Sequence, residues 1–69
     1  MNKPDSRKYF NSDPAYLRSL IAQAGISQRE AARRLGISDR SIRYYVSGQL
    51  TVPYVVQLGL EELAKDRPA

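Results

Sequence analysis

Five arginines, Arg29, Arg33, Arg34, Arg40 and Arg43, fall within residues 27–47, where they face only two acids, Glu30 and Asp39. A guanidinium stays charged at any physiological pH, so it is a poor proton shuttle and a good anion ligand. Its planar fork of donors matches phosphate oxygens and the guanine edge. The chemistry this cluster points to is recognition of a polyanion rather than turnover. The rest of the composition agrees. The chain has no His and no Cys, which removes the usual zinc ligands and the commonest acid–base and thiol groups. It has no Gly-rich phosphate loop and no acidic cluster suited to a metal. No catalytic residue, no metal and no cofactor is therefore expected, and the protein is not expected to be an enzyme.

Charge distribution sharpens this. The net charge is +4. Residues 27–47 contribute +3, residues 1–12 contribute +2 through Lys3, Arg7 and Lys8 against Asp5, and residues 48–69 contribute −1. A basic middle beside a mildly acidic end is the pattern of one face built for a nucleic acid. For any single arginine, a solvated helix face is the blander explanation.

At 69 residues the chain holds one domain. A domain this small buries only about 60% of the surface its unfolded chain exposes. Without disulfides or a metal, dimerisation is the expected additional support. No apolar run approaches the roughly 20 residues of a membrane span. Met1 to Phe10 has no apolar stretch to serve as a signal peptide. A cytoplasmic protein, without a membrane or small-molecule partner, is expected.

Local signals divide the chain into helices. Residues 1–12 are polar and aperiodic, with Pro4, and read as a flexible basic arm; residues 13–66 read as the folded domain. Asp13-Pro14 is a helix start. Leu17, Leu20, Ile21 and Ala24 then follow the spacing of one helical face, and Gly25 ends the helix. Ser27-Gln28-Arg29-Glu30 has the form of a capping box, in which Glu30 would reach back to the Ser27 amide. The second helix runs from Gln28 to Leu35, with Ala31, Ala32 and Leu35 inward. Gly36 ends it, Ile37 fills the corner, and Ser38 caps a third helix from Asp39 to Ser47, with Ile42, Tyr45 and Val46 on one face. Gly48 stops that helix, and Gln49 to Val52 read as a loop. Pro53 opens a fourth helix to about Ala64, with Val56, Leu60 and Leu63 as its core stripe. The expected fold is all-α, a four- to five-helix bundle.

Ile26 to Gly48 is the informative unit. Two helices that cross steeply over a short turn need a small residue at the crossing, a residue free to take positive φ in the turn, and apolar residues at the corner and beneath the second helix. Ala32, Gly36, Ile37 and Ile42 meet those needs in order. This is a helix-turn-helix pattern, and an ordinary helical hairpin would not require arginines on the outer face of its second helix. In the motif that second helix enters the major groove. Arg40 and Arg43 are then the expected base readers, by paired hydrogen bonds to guanine, with a phosphate contact as the alternative for each. Asp39 is a further base-contact candidate, or serves the helix dipole alone. Tyr44 points outward, toward a thymine methyl or a phosphate. Gln28 and Arg29, at the start of the second helix, with Arg33, Ser38 and Ser47, are the expected phosphate contacts. Arg34, four residues after Glu30, is expected to form a helical ion pair.

Ile26 to Gly48 also resembles the phage repressor (Cro/C1-type) helix-turn-helix family. That resemblance implies a phosphate contact for Gln28 and base-facing positions for Asp39, Arg40 and Arg43. Over Asp13 to Asp66, the stretches Asp13-Pro14, Tyr16-Leu17-Arg18, Ala24 to Arg29, Ser38-Asp39-Arg40, Arg43-Tyr44-Tyr45 and Pro53-Tyr54, with Glu61 and Leu63-Ala64, are similar to the anti-CRISPR-associated regulators of phages and mobile elements. The similarity implies a dimeric autorepressor that binds an inverted repeat in the promoter of an anti-CRISPR operon in a bacterial host cell, with DNA contacts from Arg29 and Arg40. Glu30 departs from that pattern, standing where the family can carry a basic residue, and the loop before the fourth helix is short. A weaker resemblance, in Gly36-Ile37-Ser38 and Ile42-Arg43-Tyr44-Tyr45, is to MerR-type activators.

The expected function is sequence-specific binding of double-stranded DNA by a homodimeric repressor, joined through Tyr54, Val55 and Leu58. The rival from another class is an antitoxin or similar protein-interaction module, for which only residues 1–12 remain to cover a partner.

Overall fold

Asp13 starts the first helix with its own side chain: Oδ1 accepts from the Ala15 amide at 2.9 Å, and Pro14 occupies the first turn, where no amide is needed. The computed structural model describes residues 11–65. Four helices follow in order, α1 (Pro14–Ala24), α2 (Gln28–Leu35), α3 (Asp39–Ser47) and α4 (Tyr54–Lys65), with no strand among the described residues. Most of the expected basic arm, residues 1–12, lies outside the described residues, as do residues 66–69. Asn11 is described, and it is tied down: its amide donates to Gln57 Oε1 at 2.9 Å.

The turn between α2 and α3 is built from backbone. Gly36 sits at φ 73°. Its amide donates to the Arg33 carbonyl and the Ile37 amide donates to the Ala32 carbonyl, at 3.3 and 3.0 Å. That pair of bonds is a Schellman closure, which requires a left-handed residue. Ser38 then caps α3, its Oγ accepting from the Ser41 amide at 3.0 Å. A methyl group on Gly36 would meet nothing within 4 Å, so Gly36→Ala isolates the backbone cost. We expect a loss of about 1–2 kcal/mol, read as a lower urea midpoint with unchanged slope.

All four helices feed one core. Leu17, Leu20 and Ile21 come from α1, Ala31 and Ala32 from α2, Ile42 and Val46 from α3, and Val56 and Leu60 from α4. Ala31 and Ala32 are fully buried, which lets α2 approach its neighbours closely. Leu35, Ile37, Tyr45 and Leu63 are partly buried against the core. Ala24, expected inward, is only half-buried and outside the core.

Two core residues break the sequence pattern. Val52, placed by its neighbours in a loop, is buried. Gln57, a polar residue, is only 1% exposed. A buried amide must find partners. Gln57 accepts from Asn11 and donates from Nε2 to Glu61 Oε2 at 3.1 Å. The same carboxylate oxygen accepts from the Tyr16 hydroxyl, which joins α1 to α4. The hydrogen bond to Glu61, with some burial, pushes the Tyr16 hydroxyl up to about 12.

Candidate nucleic-acid interface

Ile42 and Val46 are buried and four apart, so they define the inner stripe of α3. At 100° per residue, Arg40, Tyr44 and Ser47 fall opposite that stripe, and Arg43 and Asp39 fall on the flank nearer α2. Arg40, Arg43, Asp39 and Ser47 are exposed, and Tyr44 is half-buried. Of the expected base-facing residues, Arg40 and Tyr44 therefore lie on the side of α3 away from the core, and Arg43 and Asp39 on the flank facing the cleft with α2.

The start of α2 lies beside that flank. Ser27, Gln28 and Arg29 line a cleft of about 440 Å³ together with Asp39, Ile42 and Arg43. Arg29 Nε stands 3.4 Å from Asp39 Oδ2. This ion pair bridges the first turns of the two helices. It adds a third role for Asp39, beyond base contact and dipole, that the sequence reading did not weigh.

Ion pairing sorts the five arginines. Glu30 holds two of them: Arg33 Nη2 and Arg34 Nε both lie on its Oε2, at 2.6 and 2.8 Å, and Arg33 Nε reaches Oε1 at 3.0 Å. Arg34 is where its spacing from Glu30 put it. Arg33 was expected to share a face and a role with Arg29. Instead the two are in separate ion pairs, because the fork of Arg33 fits the Glu30 carboxylate one turn back. The expected capping box forms only in part. Ser27 Oγ accepts from the Glu30 amide at 3.0 Å, but the Glu30 carboxylate turns to its two arginines rather than to the Ser27 amide. Two guanidinium partners outweigh one backbone amide for a carboxylate. Among the described residues, Arg40 and Arg43 have no ion-pair partner.

Hydrogen bonds to Arg33, then to Arg34, hold the Glu30 carboxyl down at about 2. A carboxylate with a depressed pKa stabilises the fold above its ordinary value of 4.5 and loses that contribution as pH falls toward 2. In thermal melts, the advantage of the native chain over Glu30→Gln should be flat above that window, shrink within it and vanish below it. Because both arginines are exposed, added salt should reduce it at the higher pH values.

The two serines expected at phosphates are engaged within the chain. Ser38 caps α3 and donates its hydroxyl to Ser41 Oγ at 2.9 Å, and Ser47 Oγ donates to the Tyr44 carbonyl at 3.2 Å. Of the three residues expected at a dimer contact, Val55 is 73% exposed. Tyr54 and Leu58 are half-buried rather than exposed, since each flanks the buried stripe of α4 at Val56, Gln57 and Leu60.

Sequence reasoning missed a second contact to α3, besides the Arg29–Asp39 pair. Arg18 of α1 donates from Nη1 to the Val46 carbonyl at 2.6 Å. The only hint was that α3 has no basic residue in its own last turn.

Among the described residues no helix is long and apolar enough to cross a membrane, and none of their acidic side chains gather into a metal-binding group. A protein family described as a helix-turn-helix domain matches residues 15–64, from the first turn of α1 to the last turn of α4. No curated protein matches the chain.

Proposed function

Since this chain belongs to the helix-turn-helix domain family, we propose that it binds duplex DNA sequence-specifically and regulates transcription as a repressor. The observation that carries this reading is the pair Arg40 and Arg43. Among the described residues they are the arginines of the 27–47 cluster without an acidic partner, and both are exposed on α3. A guanidinium free of an internal carboxylate can give both its donors to guanine O6 and N7. Gln28 and Arg29, at the amino end of α2, flank that surface and are assigned to the phosphate backbone. Arg33, Ser38 and Ser47 are secondary phosphate contacts, because each is hydrogen-bonded within the chain at 3.2 Å or less, whereas Arg29 is held by Asp39 only at 3.4 Å. Asp39 and Tyr44 complete the base-facing set, with Asp39 also holding Arg29.

In the finer reading the protein is a cytoplasmic homodimer on an inverted repeat, with its α3 helices about 34 Å apart. The dimer contact centres on Val55, with Tyr54 and Leu58 beside it. Similarity to the anti-CRISPR-associated regulators supports an autorepressor of an anti-CRISPR operon in a bacterial host. Residues 13–66 form the DNA-binding unit, and the basic residues 1–12 extend it. No small-molecule inducer is invoked, so protein concentration sets occupancy.

The test is fluorescence-anisotropy binding to DNA just upstream of the protein's own operon and to random duplex, across a salt series. Tight, salt-dependent binding that prefers the upstream DNA supports the autorepressor. Weak binding without preference counts against it and favours a module that acts on another protein. Light scattering checks the dimer, and a monomer at high concentration would remove it from the reading.

A further inference from the structure

The carbonyl end of a helix carries partial negative charge and wants a cation. α3 has Asp39 in its first turn and no basic residue in its last, so nothing on the helix itself answers that need. α1 supplies it. Arg18 Nη1 donates to the Val46 carbonyl oxygen at 2.6 Å, from 28 residues away in the chain. Pro14 lies four residues before Arg18 and shares its face of α1. It closes on the same end of α3: a Cβ built on Gly48 would stand 3.1 Å from Pro14 Cγ. Gly48 itself sits at φ 86°, so both its backbone and its missing side chain serve this approach. The carboxyl end of α3 is thus gripped from outside the core by Pro14 and Arg18.

We propose that Arg18 is a positioning residue for base reading, acting through α3 and resting on the DNA-binding function proposed above. Ile42 and Val46 are the buried anchors of this nine-residue helix. Apolar burial is non-directional, so two anchors on one stripe leave the helix room to roll and tilt. A charge-assisted hydrogen bond has direction. Arg18 fixes the last turn of α3, and with it the angle at which Arg40, Arg43 and Tyr44 meet the base edges. Arg18 is exposed, so the competing role is a direct phosphate contact, which would carry no sequence information.

The experiment compares the native chain with Arg18→Gln and Arg18→Lys. Each is titrated against a duplex selected by the native chain from a random pool and against random duplex, across a salt series, with thermal melts of all three proteins. The expected result is that Arg18→Gln lowers the preference for the selected duplex roughly tenfold, equivalent to ~1.4 kcal/mol. Affinity for random DNA and the salt slope should stay close to native. Arg18→Lys, which keeps the charge and one donor, should recover part of the preference. Equal losses on both duplexes, with a salt slope smaller by about 0.9, would mean a phosphate contact and overturn the proposal. Unchanged preference in both variants would overturn it while leaving the DNA-binding function intact. A native chain with no preference would sink that function and this assignment together.

Discussion

Ile42→Ala should remove a large share of the protein's stability. Ile42 is 1% exposed and sits where α3 meets the core and the floor of the cleft against α2. Truncating a buried isoleucine costs about 2–5 kcal/mol, through lost transfer energy and the cavity left behind. A 69-residue domain holds only about 3–10 kcal/mol at the usual stability per residue. The substitution therefore takes a large share of the total. Ile42→Val removes one methyl group and should cost about 0.5–1.5 kcal/mol. Urea denaturation followed by helical circular dichroism measures both. If Ile42→Ala cost no more than Ile42→Val, Ile42 could not be the anchor of α3. With the expected large loss, failure of Ile42→Ala to bind DNA would say nothing about base reading, because the helix itself would be misplaced.

Arg40→Ala should have the opposite character, with a native melt and damaged recognition. Arg40 is exposed and makes no ion pair among the described residues, so its removal should change stability by no more than about 0.5 kcal/mol. On the preferred duplex the expected loss is about 1–3 kcal/mol, with relaxed discrimination at one base pair. Gln28→Ala and Arg29→Ala should instead weaken binding to all duplexes nearly alike. The decisive measurement is the ratio of affinities for preferred and random DNA. Should Arg40→Ala lower both equally, Arg40 would be a phosphate ligand and base reading would fall to Arg43. Arg29→Ala has a second consequence. It leaves Asp39 without its partner at 3.4 Å, an uncompensated negative charge beside the DNA, so its loss should exceed that of Gln28→Ala.

Glu30 shapes the charge of α2 in two ways. It does more than remove a possible cation, since it also occupies Arg33 and Arg34. Among the described residues, of the five arginines only Arg40 and Arg43 remain without an ion pair, with Arg29 held by Asp39. A narrower cationic face lowers affinity for DNA in general more than it lowers discrimination.

The helices and the turn were legible in the sequence because their signals are local. Asp13, Ser27 and Ser38 cap the amide ends within two or three residues. Gly25, Gly36 and Gly48 take the left-handed conformation that ends the first three helices. The i, i+4 spacing of Glu30 and Arg34 announced their ion pair. The inner stripe of α3 followed from its periodicity, and that stripe placed Arg40 and Arg43 outside. Each of these depends on backbone geometry over a turn or two, which residue type controls directly.

Tertiary structure decided the rest, because it joins groups that residue spacing does not connect. Gln57 is buried because Asn11, 46 residues away, and Glu61 satisfy its amide. Val52 joins the core although it lies in the connection between α3 and α4, where no helical periodicity marks it. Arg33 and Arg29 share a helical face but part company, since only Arg29 lies within reach of Asp39 on the next helix. Arg18 meets the end of α3 because α1 packs against it, and no local pattern encodes that meeting. The sequence by itself determined which helices form and which side of α3 is free. Packing alone determined which charges remain available on that side and how firmly the helix is held.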